Sequence, residues 1–262
     1  MSDYQTLEVT RENAVARIAF DRPDAHNSLT EGMAAELVEA AHDVVSDEAV
    51  RCVAVTGSGG AFNTGADLTT LSGDGSDEPT LRALAGGLHE FVSQLVRAPK
   101  PVVSGVNGVS AGGGIGPAIC ADVVLIAESA RFEFAYPRIG LSGDGGSTYF
   151  LPRLVGLRRA QEIAFRDEPI GAEEAVDLGL ATEVVPDDDL DARLAEESER
   201  LASGPTRAYA ATKRLLAESL ETPLDAQLAD EGETIARLTR SEDFARGLAA
   251  FGGDESPEFT GE

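Results

Sequence analysis

The sequence predicts an α/β fold in which a layer of strands with crossover helices is followed by a helical region. Three observations predict it. Over the first 130 residues strand and helix patterns alternate, as an α/β layer with crossovers requires. From about residue 150 onward almost every segment has a helical period. The 262 residues are 42% hydrophobic with no long Ser/Pro/Gln-rich tract, and a chain of this length buries roughly 70–75% of its unfolded surface, enough for one large domain.

The elements follow in order. "TLEVTRENAVARIAF" alternates apolar residues around an Arg-Glu-Asn turn, which predicts a β-hairpin with strands near 5–10 and 14–20. "LTEGMAAELVEAAHDVVSD" has helical spacing with Thr30 as N-cap, and "VRCVAVTG" is a buried strand. A second helix fits 80–97, stopped by Pro99 and Pro101, before the strand "VVSGV". "GIGPAICA" then reads as a short buried helix and "DVVLIA" as a strand. Beyond these, "LRRAQEIAF", "GAEEAVDLGL", "DLDARLAEESERLAS", "PTRAYAATKRLLAESL" and "PLDAQLADEGETIARLTR" are helical in period. The Gly/Asp/Ser stretch 72–79 is the expected mobile loop and the last ten residues the expected frayed end.

Charge and cysteine usage narrow the function class. The chain carries 46 acidic against 21 basic residues, a formal net charge of −25, and only Lys100 and Lys213 are lysines. Such a surface resembles those adapted to a salt-rich cytoplasm, where self-repulsion is screened. No basic stripe is available to neutralise nucleic-acid phosphates or an anionic lipid surface, so neither is expected as a partner. Cys52 and Cys120 lie in apolar runs and read as buried thiols of a reducing compartment. "MSDYQTLEVTREN" lacks the zones of a signal peptide, and the apolar region 101–127 is interrupted by Asn107, Ser110, Pro117 and Asp122, which argues against a membrane span. A cytoplasmic protein is expected.

Several familiar chemistries fail on their motifs. Gly112 and Gly114 followed by Pro117 do not make G-x-G-x-x-G, and neither lysine follows a glycine as a P-loop demands. Gly108-Val-Ser110-Ala-Gly112 has the G-x-S-x-G form of a nucleophile elbow, but His26, His42 and His89 all precede Ser110, against the Ser-acid-His order of that fold. The histidines are scattered and no C-x₂-C or H-x₃-H spacing exists, so no metal is expected; each reads as a surface or helix-face histidine, with His26 alone in a loop of interest.

Two glycine loops remain. "VNGVSAGGGIGPAICADVVLIA" sets three consecutive glycines between a strand and a helix, and "GAFNTGADL" puts Gly65 after another strand, with Ala66-Asp67 opening a turn of helix. Backbone N–H groups beside glycine approach a ligand oxygen closely, and at a helix N-terminus they are unsatisfied. One N–H from each loop can converge on a single oxygen, each donor worth roughly 2.7–4 kcal/mol to a transition state. The competing reading of the glycines is tight helix–strand packing.

These residues carry a family resemblance. "FDRPDAHNSLT", "GAFNTGADL", "KPVVSGVNGVSAGGGIGPAICADVVLIAESARF", "LPRLVG", "GAEEAVDLGLATEVV" and "GPTRAYAATKRLL", in that order, resemble the crotonase superfamily of enoyl-CoA hydratases and isomerases over nearly the whole chain. The resemblance implies a crotonase-like spiral of ββα units over residues 1–200 and a C-terminal helical trimerisation region over 201–262, assembled as a homotrimer or a hexamer. It implies an acyl-CoA substrate, with no cofactor beyond the coenzyme A of that substrate. It places the thioester oxygen on the N–H groups of Ala66 and Gly113, beside Gly112. The loop of Asp24, Ala25 and His26 then runs along the CoA, and Gly65, Ala66, Asp67 and Leu68 line adenine and pantetheine. Asp67 reads as a loop anchor rather than a catalyst.

Hydratases of the superfamily use two glutamates, and the corresponding positions here hold Gly116 and, after the substrate-lining Pro137, Arg138. "RIGLSGDGGSTYFLPRLVG" instead resembles the isomerase-like branch, whose catalytic aspartate corresponds to Asp144. Gly143 and Gly145 depart from the proline and serine usual on either side. Phe134, Tyr136 and Leu141 are expected to wall this acid, and Glu133 is a second candidate. The alternative for Asp144 is a plain Asp-Gly turn or the N-cap of the next helix. The expected function is therefore double-bond isomerisation of an unsaturated acyl-CoA through an enolate, with Asp144 as acid/base. Hydration or other enolate chemistry on acyl-CoA is the alternative, and an acyl-CoA-binding subunit without a catalytic acid the non-enzymatic one. "AAFGGDESPEFTGE" carries acids where the family often ends in basic residues near the CoA phosphates, which leaves those phosphates to arginines, helix N-termini and salt.

Overall fold

The computed structural model describes residues 4–253 and 256–262; Met1–Asp3 of the leader reading, and residues 254 and 255 of the C-terminal one, lie outside them. Strands β1 (Leu7–Glu12) and β2 (Val15–Phe20) open the chain, followed by α1 (Glu31–Ser46). Three successive units then each give two strands and a helix. They are β3 (Cys52–Gly57), β4 (Ala61–Asn63) and α2 (Glu78–Arg97); β5 (Val102–Val106), β6 (Val109–Ala111) and α3 (Ile115–Ile119); and β7 (Val123–Ala127), β8 (Arg131–Glu133) and α4 (Ser147–Arg166). β9 (Ile170–Gly171), α5 (Ala172–Asp177), β10 (Glu183–Val185) and α6 (Leu190–Ala202) close this part, and α7 (Thr206–Ser219), α8 (Leu224–Leu238) and α9 (Glu242–Ala250) follow.

Each unit feeds one strand into each of two sheets. The larger runs β1-β2-β3-β5-β7-β10 and the smaller β4-β6-β8-β9. β2, β3, β5, β7 and β10 are parallel, while β1 pairs antiparallel with β2. Parallel strands covered on both faces need unbroken apolar runs, and every residue of β3 and β5 is buried. Phe20, Phe62 and Phe91 meet edge to face, with centroids 5.3 and 6.2 Å apart, and bring the hairpin, β4 and α2 into one core. This arrangement matters because the C-terminal ends of β4 and β6 lie side by side, with Asn63 opposite Ser110.

Local details follow the sequence with some corrections. Thr30 caps α1 by accepting the Met33 amide at 3.2 Å. The hairpin turns on Asn13 and Ala14, both left-handed (φ 50° and 61°), one residue past the expected Arg-Glu-Asn turn, because a two-residue mirror-image turn matches strand twist. α4 consists of two pieces joined at Gly156 (φ 76°, ψ 155°), so the expected helix from residue 157 is its second half. The 72–79 loop contains a capped turn, with the Asp77 carboxylate accepting the Ser72 and Gly73 amides at 2.9 and 2.7 Å.

The C-terminal tail is docked rather than frayed. Asp243, at the start of α9, accepts the amides of Thr260 (2.7 Å) and Gly261 (2.9 Å), and Arg51 donates to the Phe259 carbonyl at 3.1 Å. α9 itself was not expected, although Ser241 caps it by accepting the Phe244 amide and acids fill its first turn.

Asp243→Ala leaves two tail amides without their charged acceptor and is expected to destabilise the fold by about 2 kcal/mol. Urea unfolding and hydrogen exchange of residues 256–262 check this; an unchanged midpoint with unchanged tail protection would show that the latch is idle.

Candidate active site

The first loop of the site leaves β4 at Asn63. The Asn63 side-chain oxygen accepts the Gly65 amide at 2.9 Å, and its amide group donates to the Asn27 carbonyl at 2.6 Å. Gly65 is left-handed (φ 76°), a conformation glycine adopts without strain. The Gly65 carbonyl accepts from Leu29 N (2.7 Å), and Asp67 N donates back to Leu29 O (2.9 Å). Ala66 is therefore clamped on both sides. Asp67 is an anchor, as expected: it accepts from the Thr69 amide and hydroxyl and pairs with Arg22 at 3.0 Å. The Thr69 hydroxyl bond, then the Arg22 bond, outweigh burial and hold its carboxyl below the usual range. Leu68 is exposed beyond it.

Asp24, Ala25 and His26 lie on a neighbouring turn that includes Pro23–Ala25, which buried Asn27 fixes by donating to the carbonyls of Ser58 and Ala61. The Thr64 hydroxyl reaches the His26 carbonyl at 3.2 Å. The two stretches expected along the CoA thus share one rim.

The second loop is the turn Gly112–Gly114 between β6 and α3, with Gly112 at φ 51°. A Cβ placed on Gly65 would stand 2.9 Å from Gly113 N and 3.2 Å from the Ala111 carbonyl oxygen, so the loops touch backbone to backbone. Neither the Ala66 nor the Gly113 amide is donated to another group among the described residues. The Gly113 N–H lies in the first turn, ahead of any intrahelical acceptor.

Asp144 completes the group. A Cβ on Gly113 would lie 3.6 Å from the Asp144 Oδ1 atom and 3.6 Å from Gly65 Cα. The Tyr136 hydroxyl donates to Asp144 Oδ1 at 2.5 Å, and His89 Nε2 lies 3.8 Å from Oδ2. Burial, followed by the charge of Asp144, pushes the Tyr136 phenol far up, so it stays a donor. His89 Nε2 accepts the Gly145 amide at 3.2 Å. Asp144 sits in the turn before α4, but the N-cap is Gly146, and the carboxylate faces Tyr136 and His89 instead of the helix.

Other expected participants fall elsewhere. Glu133 is tied to Arg138 (2.5 Å) and Arg131 (2.7 Å), and Arg138 also to Asp167 (2.6 Å). Burial alone would raise the Glu133 carboxyl, yet the two arginines hold it below the usual range. It is a structural ion-pair partner. Phe134 packs on Tyr136 with centroids 4.9 Å apart, whereas Leu141 and Pro137 are exposed. The Ser110 hydroxyl is buried with no hydrogen-bond partner, so no base activates it. His89 was read as an ordinary helix-face residue; its only sequence signal is the helical period that puts it on one stripe with Val92 and Val96. A cavity of about 1290 Å³ opens from His89 and Asp144 between α2, α4 and α7. Among the described residues no cluster of three or more His, Cys, Asp or Glu could hold a metal, and no helix is long and apolar enough to cross a membrane.

The model of the family described as enoyl-CoA hydratase/isomerase matches residues 10–262. The chain belongs to this family. A Rhodobacter capsulatus protein named as a probable enoyl-CoA hydratase is 40% identical over 98% of this chain and 99% of that protein. The 1,2-epoxyphenylacetyl-CoA isomerase of Escherichia coli is 35% identical over 95% and 96% of the two chains. The crystal structure of an enoyl-CoA hydratase from Bacillus anthracis superposes with a TM-score of 0.92, covering 98% of this chain and all of that one at 28% identity. The fold is thus the crotonase-like spiral with C-terminal helices.

Within the enoyl-CoA hydratase/isomerase family, Gly116 is the position where the resemblance expects the first hydratase glutamate, and the structure leaves no room there for a side chain. A Cβ on Gly116 would overlap the carbonyl oxygen of Gly145, so the turn that carries Asp144 occupies the space such a side chain would need. The second position, Arg138, is bound away in its carboxylate pairs.

Because the folded Glu133 carboxyl is depressed, its contribution is present above the unfolded value of about 4.3 and is lost as pH falls through the folded value. Glu133→Gln is expected to lower stability at pH 7 by about 1 kcal/mol, with the gap closing below pH 4. Thermal unfolding across pH measures this; a pH-independent gap would contradict the ion-pair role.

Proposed function

We propose that the protein isomerises the double bond of an unsaturated acyl-CoA, with Asp144 as the single acid/base and the Ala66 and Gly113 amides as the cradle of the thioester oxygen. One observation carries the reading. The Asp144 carboxylate lies beside Gly113, whose amide is uncommitted, while the position of a hydratase glutamate is filled by backbone. In a 3-enoyl thioester the carboxylate removes a proton from C2, and the electron pair moves onto the thioester oxygen as a dienolate. The two amides stabilise that charge by roughly 2.7–4 kcal/mol each. The carboxylic acid then returns the proton at C4, the double bond settles between C2 and C3, and the carboxylate is regenerated. One base suffices because both proton sites lie on one face of the chain.

Tyr136 and His89 are positioning residues. The phenol holds Oδ1 by its short hydrogen bond, and the imidazole holds the Gly145 amide and with it the turn that carries Asp144. The relative named as a 1,2-epoxyphenylacetyl-CoA isomerase shows isomerases among the relatives, while the 40% identical relative is named as a probable hydratase, so the isomerase reading rests on Asp144. The CoA portion of the substrate lies along Asp24, Ala25 and His26 and along Gly65 to Leu68, with Gly112 and Pro137 completing the binding residues.

The same reading covers assembly and compartment. Leu216, Leu220, Leu224, Leu228 and Ile235 are exposed on α7, α8 and their connection, an apolar face for a trimer or hexamer built by residues 201–262. Burial pushes the Cys52 and Cys120 thiols up to about 12, which suits a reducing cytoplasm.

Asp144→Asn should reduce isomerisation of a 3-enoyl-CoA, and proton exchange at C2, by about 10²–10⁴-fold while CoA binding persists; unchanged turnover removes Asp144 from the mechanism. Crotonyl-CoA hydration faster than 3-enoyl-CoA isomerisation would favour the hydratase alternative. Light scattering should give a trimer or hexamer mass that Leu220→Asp lowers; a monomeric native protein contradicts the assembly.

A further inference from the structure

Basic side chains are scarce in this chain and mostly paired. Arg138 and Arg193, for instance, each engage at least two carboxylates. The cavity beside Asp144 departs from that pattern. Arg97, Arg207, Arg237 and Arg240 line it. Among the described residues the side chains of Arg97, Arg207 and Arg240 have no ion-pair or hydrogen-bond partner, and Arg237 has only a longer-range attraction to Asp230. In a chain with 46 acidic residues there is no shortage of partners. The other charges of the cavity are already matched. Lys213 pairs with Asp122 at 2.8 Å, Arg214 with Asp230 at 2.6 Å and Glu218 at 2.8 Å, and Glu221 with Arg153 at 2.9 Å.

The position of these arginines is as telling as their number. The cavity shares His89 and Asp144 with the candidate active site but includes none of residues 24–26 or 65–68. It therefore lies on the acyl side of Asp144, away from the rim assigned to CoA. Along α2, His89, Val92, Ser93, Val96 and Arg97 form one stripe of its wall, and eight residues of helix separate His89 from Arg97 by about 12 Å. Val96, Phe150 and Leu238 supply apolar wall, and the guanidinium groups come from Arg97 at the end of α2, Arg207 at the start of α7, and the α8–α9 corner. Acid, apolar stretch, then unpaired cations is the complement of a medium-length acyl chain that ends in an anion.

We propose that this end of the cavity binds the terminal carboxylate of an ω-carboxyacyl thioester, so that the preferred substrates are dicarboxylic acyl-CoAs. The assignment rests on the reading that the acyl chain runs past Asp144. Guanidinium groups suit the role because they stay charged and bind carboxylates in a bidentate way. A carboxylate there would give these guanidinium groups the counter-ion that they lack among the described residues.

The test compares binding of two saturated thioesters of equal length, suberyl-CoA and octanoyl-CoA, by titration calorimetry on the full-length protein. Suberyl-CoA is expected to bind about tenfold tighter at low salt, the scale of one charged hydrogen bond. The ratio should fall towards one in Arg207→Gln/Arg240→Gln and in Arg97→Gln, two variants in different elements, so misfolding of one does not end the test. Equal affinities in the native protein overturn the proposal. So does a ratio that survives both variants while affinity for both thioesters drops alike, which would make the arginines CoA-phosphate ligands or structural. Because saturated thioesters do not isomerise, this outcome is independent of whether Asp144 proves to be the acid.

Discussion

The site depends on a close approach of two stretches of main chain. Gly65 and the Gly112–Gly114 turn stand so near each other that a Cβ at Gly65 would press on the Gly113 amide. A Cβ at Gly114 would overlap the Asn63 carbonyl in the same way. What this brings together is the backbone of the two loops that carry the Ala66 and Gly113 amides, rigidly backed. The backing is polar and buried: Asn27 and Asn63 fasten the loops, Asp67 and Arg22 lock the turn beyond, and Leu29 grips both sides of Ala66. Preorganised donors of this kind spend no energy on reorientation when charge develops in front of them.

The acid side of the site is arranged around the same turn. Gly145 is the hinge of the design, since its carbonyl fills the space beside Gly116 and its amide is held by His89. The residue whose carbonyl fills the space beside Gly116 is thus the neighbour of Asp144, the proposed acid. Tyr136 keeps its proton because burial and Asp144 both oppose ionisation, so the carboxylate always meets a donor there. Asp144, held by Tyr136 on one side, is the carboxylate that the proposed isomerisation would use. The adjoining cavity is lined by Asp144, Glu218 and Glu221 but also by Arg97, Arg207 and Arg240, which have no carboxylate partner among the described residues.

Much of this was legible in the sequence wherever a local rule decided the outcome. Thr30 capped its helix, the apolar runs of β3 and β5 became central parallel strands, and the glycine spacing marked both loops because only glycine tolerates such contacts. What stayed hidden depends on contacts distant in the chain. Nothing around His89 announces that it meets Gly145, 56 residues away. Glu133 looked like a free carboxylate until Arg131 and Arg138 were seen on it. The C-terminal tail, polar and Gly-bearing, reads as a loose end, and only the buried Asp243 and Arg51 show that it is fastened. α9 was missed although Ser241 and the acids after it form an ordinary helix start.

The central claim is that the Ala66 and Gly113 amides receive the thioester oxygen. Isotope-edited infrared spectroscopy of a bound acyl-CoA carrying ¹³C at the thioester carbonyl measures that contact directly. Two converging donors should polarise the carbonyl and move its stretch to lower frequency than in solution. A bound thioester that absorbs at its solution frequency would contradict the account.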